Sequence, residues 1–140
     1  MRMKIAIENG KLGQAISLLF DLPLKGKQSR HRTKFIERLN ARLEEVENDR
    51  IALAKEHAKK DEDGKAIKSD GHFDIADRDA FAKDLQELYE EELIIEGGDV
   101  SGMLKTVKEV LENCDKELSG QEAVIYDYLC DQFEKGVDEE

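Results

Sequence analysis

The sequence predicts an α+β fold, predominantly helical: a long antiparallel helical hairpin tipped by a small β-hairpin, two further C-terminal helices and a minor two-stranded sheet. Three observations lead there. Ile36, Leu39, Leu43, Val46, Arg50, Leu53 and His57 are spaced alternately by three and four residues, the period of a helix packed lengthwise on another. Two short isoleucine-bearing runs, Lys4–Glu8 and Ile94–Glu96, read as strands. Apolar and charged residues each make up 39% of the 140 residues, with five Phe and no Trp, so the core is thin and aliphatic and helices packed in pairs suit it.

The elements follow in order. Lys4-Ile-Ala-Ile-Glu8 places Ile5 and Ile7 on one strand face, and Asn9-Gly10 supplies a turn. Leu12, Ala15, Ile16 and Leu19 mark a short helix from Lys11 to about Phe20, stopped by Pro23. Leu24 to Ser29 is a basic loop, with Ser29 as the expected N-cap of a helix from Arg30 to about Lys60. Arg50 and His57 are polar seam positions and need a carboxylate or an open end, because an unpaired buried charge costs several kcal/mol.

Gly64 is expected near C′ of that helix, followed by a hairpin over Ala66–Ile75 turning at Asp70-Gly71. A three-residue loop that includes His72 is preferred there, since it sets Ile67 opposite Ile75 with Phe73 on the same face. Asp77 caps a third helix, Arg78 to about Leu93, whose Phe81, Leu85 and Leu88 face the long helix. Ile94-Ile95-Glu96, ended by Gly97-Gly98, pairs with Lys4–Ile7. A fourth helix runs from Ser101 to about Leu118 on Leu104, Val107, Leu111, Cys114 and Leu118, with Val100 ahead of it in register. Ser119-Gly-Gln-Glu122 is a capping box for a fifth helix from about Gly120 to Lys135-Gly136, with Val124, Ile125, Tyr128 and Leu129 as its apolar face. The whole chain, 1–140, is expected to be one domain, with residues 136–140 a frayed tail.

Charge is distributed unevenly. Residues 1–42 hold ten Lys/Arg against three Asp/Glu, whereas 43–140 hold 12 against 30, within a total of −11. The concentrated positive segment is Lys25, Lys27, Arg30, Arg32, Lys34, Arg38 and Arg42, with His31 among them and Glu37 opposing. Arg30, Lys34, Arg38 and Arg42 step by four along one helix face. Such a stripe can be neutralised within the fold or across an oligomer, dock on an acidic protein, or track phosphates. The acidic remainder repels a polyanion beyond a Debye length of roughly 8 Å, which ranks nucleic acid last. A homo-oligomer or another protein partner is expected.

Nothing points to catalysis. His31, His57 and His72 are not flanked by a nucleophile motif, and no G-x-S-x-G occurs. Asp61-x-Asp63-Gly64 has the opening spacing of a calcium loop, but the required later ligands and glycine are displaced: Lys65, Ala66 and His72 stand at positions 5, 6 and 12. Gly26-Lys27 lacks the upstream glycine of a phosphate loop, and Gln28 holds the metal-binding place. The expectation is a non-enzyme with no catalytic residues, metal, cofactor or small-molecule substrate. Cys114 and Cys130 lack C-x-x-C spacing and suit a reducing compartment. No secretory leader or run of 18 apolar residues is present, so a membrane role is not expected.

The stretch Leu22-Pro-Leu-Lys-Gly-Lys-Gln-Ser-Arg-His-Arg-Thr-Lys-Phe35 resembles a family of small uncharacterised proteins encoded by phages and prophages of Gram-positive bacteria. Lys4-Ile-Ala-Ile-Glu-Asn-Gly-Lys11, Lys60-Asp-Glu-Asp-Gly-Lys65 and Glu92-Leu-Ile-Ile-Glu-Gly97 share that resemblance, which covers roughly the first 100 residues. It implies a component or helper of virion assembly, or an intracellular modulator, in the host cytoplasm or the virion. The leading expectation is a phage protein acting through protein–protein contact. The alternative is an acidic inhibitor of a host DNA-handling or defence protein, its carboxylates imitating phosphates.

Overall fold

The computed structural model describes residues 3–136 of the chain. Its order is β1 (Lys4–Glu8), a 3-10 turn (Asn9–Lys11), α1 (Leu12–Phe20), α2 (Gly26–His57), β2 (Lys68–Ser69), β3 (His72–Phe73), α3 (Arg78–Glu90), β4 (Glu92–Glu96), α4 (Gly98–Glu112) and α5 (Gln121–Lys135). The fold is α+β and mostly helical, as the periodicity predicts.

β1 and β4 form an antiparallel pair with Ile5 opposite Ile95 and Ile7 opposite Leu93. Ile5, Ile7 and Ile95 are buried in one cluster with Leu12, Leu18 and Leu19 of α1, Phe35 and Leu39 of α2, Leu104 and Leu111 of α4, and Leu129 and Phe133 of α5. Phe35 and Phe133 meet with ring centroids 5.8 Å apart, a tilted pair at the centre of the helical layer. Phe35 falls outside the seven-residue seam. The N-terminal half of α2 is covered by α1 and α4, a wider face than one antiparallel partner would bury.

The long hairpin of α2 and α3 is present. Asp77 caps α3 through its Oδ1, which accepts from the Ala80 N–H at 3.1 Å. His57 at the end of α2 meets Asp84 at 2.6 Å and the Phe81 ring at 5.7 Å. Arg50 finds Glu47 one turn back, and that hydrogen bond holds the Glu47 carboxyl below its usual value and raises the Arg50 guanidinium.

Several boundaries differ from expectation. α2 starts at Gly26, with Lys25 in the capping position and Ser29 already inside the helix. It ends at His57 because Ala58 turns extended and bridges to Ile75. Gly64 therefore lies beyond the helix end, at φ 79°, in a turn organised by Asp61, whose Oδ1 accepts from the N–H groups of Asp63 and Lys65 at 2.9 Å each. The tip hairpin pairs Ser69 with His72 and Lys68 with Phe73. Its loop is thus the two residues Asp70 and Gly71, at φ 53° and 81°, and not the three-residue loop expected. Two successive left-handed residues make a turn whose twist matches the strands. Because Ile67, Phe73 and Ile75 are only half-buried, the apolar face competes weakly with that turn for the register. Ile67 consequently pairs with Asp74, which donates its N–H to the Ile67 carbonyl at 2.9 Å.

α3 ends at Glu90, where the β4 ladder begins: the Asn9 N–H donates to Glu91 O at 2.8 Å. α4 begins at Gly98 and ends at Glu112, so Cys114 and Leu118 reach the core margin from a loop. The Ser119 capping box does not form. Gly120, at φ 58°, holds the capping position, and Glu122 instead lies 3.7 Å from Lys116. The α5 core face is Ile125, Leu129 and Phe133, while Val124 is 59% exposed. Residues 137–140 of the expected tail lie outside the described residues. Gly136, its first residue, is buried and accepts from the Lys4 N–H at 2.9 Å.

Candidate interaction surface

The seven cations of the basic segment separate into three groups. Arg32 turns inward. The two protons of its Nη1 are shared among the carbonyls of Leu19 (3.2 Å), Phe20 (3.4 Å) and Leu22, at the C-terminal end of α1 and the turn that follows it. Arg42 donates its Nε–H to Asn9 Oδ1 at 3.0 Å and stands 3.7 Å from Glu45. Lys25, Lys27, Arg30, Lys34 and Arg38 are exposed. Among the described residues none of these five makes an ion pair, since the pairs found are Arg42–Glu45, Arg50–Glu47, His57–Asp84, Lys59–Asp74, Lys108–Glu112 and Lys116–Glu122. Neutralisation of the stripe by acidic helices of the same chain is therefore not seen. Among the described residues α2 is held against its neighbours mainly by buried apolar side chains, Phe35, Ile36, Leu39 and Val46.

Lys34 and Arg38 line one wall of an open cleft of about 520 Å³, together with His31, Glu37 and Ala41; Asp99, Val100, Gly102 and Met103 of α4 form the other. Beside the cleft a polar contact joins the two helices. The Thr106 hydroxyl donates to Gly102 O at 3.0 Å, and His31 Nδ1 lies 2.8 Å from Thr106 Oγ1. Since the hydroxyl has one proton and Gly102 O takes it, His31 donates from Nδ1, leaving Nε2 as the other ring nitrogen. Thr106 is buried at 6% exposure, and this role was not visible in the sequence, where His31 reads only as one more member of a basic run.

Asn9 was missed in the same way. Read as a turn residue, it is 2% exposed and donates Nδ2–H to Leu88 O at 2.8 Å while accepting from Arg42. No local pattern distinguishes it from any Asn-Gly turn.

A family model described as protein of unknown function (DUF1617) matches residues 3–140, almost the whole chain. The chain belongs to the DUF1617 family. No curated protein matches it, and no solved structure does. The match runs beyond the first 100 residues that carry the sequence resemblance, so α4 and α5 are part of the DUF1617 unit too.

Other sites offer less for chemistry. Cys114 and Cys130 are free, half-buried thiols. Burial pushes the Cys130 thiol up, away from the reactive thiolate. Burial, with a hydrogen bond to Cys130, also pushes the Tyr126 hydroxyl up to about 12. Among the described residues no group of three or more His, Cys, Asp or Glu is placed to hold a metal ion, and no helix is long and apolar enough to cross a membrane.

Proposed function

We propose that this chain is a phage-encoded, non-enzymatic protein that works by protein–protein contact in virion assembly, with the exposed face of α2 docking on the carboxylate-rich surface of a second copy. The observation that carries this reading is the set Lys25, Lys27, Arg30, Lys34 and Arg38, exposed and without ion pairs among the described residues. Lys25 and Lys27 stand at the positive end of the helix dipole, with no acidic residue in the first turn. Cations there oppose the dipole by about 0.3–1 kcal/mol each, so they do not serve the stability of the isolated chain. Sequence choices that conflict with local stability mark surfaces used for something else. The 30 carboxylates after residue 42 supply a complementary surface in a neighbouring copy.

Mass measurement in solution at about 50 mM and about 1 M salt tests this, because screening shortens from a Debye length of more than 10 Å to roughly 3 Å. The expected result is an oligomer at low salt that dissociates at high salt, and a monomer at both for the quadruple variant Lys27→Glu, Arg30→Glu, Lys34→Glu, Arg38→Glu. A monomer at both salts for the unaltered chain overturns self-association through charge.

A further inference from the structure

The β1–β4 pair has two outer edges, and they differ. In its ladder the Asn9 N–H donates to Glu91 O, which sets the alternation: Ile7 with Leu93 and Ile5 with Ile95 exchange hydrogen bonds, whereas Lys4, Ala6 and Glu8 of β1 and Glu92, Ile94 and Glu96 of β4 turn their backbone groups outward. On the β1 side α5 closes the edge. The Lys4 N–H donates to Gly136 O and the Glu8 N–H to the Tyr128 hydroxyl, each at 2.9 Å. On the β4 side no hydrogen bond reaches Glu92, Ile94 or Glu96 from outside the pair among the described residues, and all three are exposed, Ile94 at 53%.

An open edge strand is a template for one more strand. Its side chains say which. A second copy pairing β4 to β4 antiparallel about Ile94 would set Glu92 of each chain against Glu96 of the other, and a parallel pairing would set glutamate on glutamate at both ends; like charges directly opposite are destabilising. Neither glutamate has an ion-pair partner among the described residues, and Glu90 and Glu91 adjoin them. We infer that the free edge of β4 receives an extended segment of another protein in which basic residues flank an apolar residue at two-residue spacing, the cations facing Glu92 and Glu96 and the apolar side chain facing Ile94. Main-chain hydrogen bonds to residues 92, 94 and 96 provide the attachment, and the alternate side chains provide the selection. This surface is separate from the α2 stripe and of opposite charge.

The probe is the blocked heptapeptide Ser-Lys-Thr-Val-Thr-Lys-Ser, titrated into the isotope-labelled full chain while backbone amide resonances are followed. Saturable shifts centred on the amides of Glu92, Ile94 and Glu96 are expected, with a Kd on the order of 100 µM or tighter. Replacing both peptide lysines by glutamate, or N-methylating the valine amide, is expected to weaken binding at least about tenfold. In the Glu92→Lys, Glu96→Lys chain the preference inverts, the glutamate peptide binding at least about tenfold better than the lysine peptide. Both substitutions are at exposed positions, and the N-methyl peptide leaves the protein unaltered, so a folding defect cannot mimic the result. Absence of shifts at 92–96 with about 1 mM peptide, equal binding of the lysine and glutamate peptides, or indifference to N-methylation overturns the inference.

Discussion

Arg42 of α2 donates its Nε–H to Oδ1 of Asn9, 3.0 Å away, tying the longest helix to the turn that follows β1. Asn9 passes the connection on through Nδ2 to the Leu88 carbonyl of α3 at 2.8 Å. One buried amide thus joins the small sheet to both arms of the helical hairpin.

Replacing Asn9 by Leu removes the acceptor of Arg42 and the donor to Leu88 at once, leaving a buried carbonyl without a partner. A loss of about 2–4 kcal/mol is expected, read as a lower urea midpoint. Asn40→Leu, at an exposed position of α2, stays within about 0.5 kcal/mol of the starting chain.

Arg32 and Arg30 are two residues apart and are expected to behave differently. Arg32→Ala frees the carbonyls of Leu19, Phe20 and Leu22 and lowers stability by about 1–2 kcal/mol. Arg30→Ala leaves stability within about 0.5 kcal/mol but weakens the low-salt oligomer. Thermal unfolding and solution mass separate the two effects.

Gly136 is the glycine that packing requires. A Cβ there would overlap the Lys4 carbonyl, with its carbon only 2.8 Å away, so Gly136→Ala must push the end of α5 off β1 and break the Lys4–Gly136 bond. A loss of about 2–4 kcal/mol is expected. Gly13 in α1 has open space around the same position, and Gly13→Ala is expected to gain about 0.5–1 kcal/mol. Chemical denaturation of both variants checks the contrast in sign.

Tyr126 gives stability a dependence on alkaline pH. Its folded pKa, pushed by burial from 10.0 to about 12, lies above the unfolded value, so the folded chain holds the proton more tightly. The contribution is fully present below pH 10 and is lost as pH rises through the window up to about 12. Tyr126→Phe is expected to lower stability near neutrality, by removing the hydrogen bond to Leu111 O, and to flatten the decline across that window. Urea midpoints at several alkaline pH values give both slopes.

Much of the fold is legible in residue order. The β1 strand, the Asp77 cap, the pairing of β1 with β4 and the α2–α3 hairpin all follow from short-range chemistry: alternating isoleucines, an aspartate before a helix, apolar residues three and four apart. The departures from residue order are also local. Ser119-x-x-Glu122 has the capping pattern, but a glycine at positive φ one residue later starts the helix. Apolar faces predict a three-residue loop at the tip hairpin, yet its apolar side chains are only half-buried and the turn residues decide the register. Phe35 and Phe133 escaped because the face that buries a helix depends on how many neighbours it has, which heptad spacing along one helix does not encode.

The basic run was equally plain as composition, and its division was not. By itself the order of residues determined that cations crowd the first third of the chain, that helices dominate, and that no catalytic motif is spelled out. Only the tertiary structure decided that Arg32 caps α1, that Arg42 serves Asn9, that five other cations face outward, and that one sheet edge is closed by α5 while the other stays open. The reason is physical: a helix or strand is selected by neighbours within four residues, but whether a polar group is free depends on partners such as Asn9 with Leu88 or Glu8 with Tyr128, brought together only by burial of a shared core.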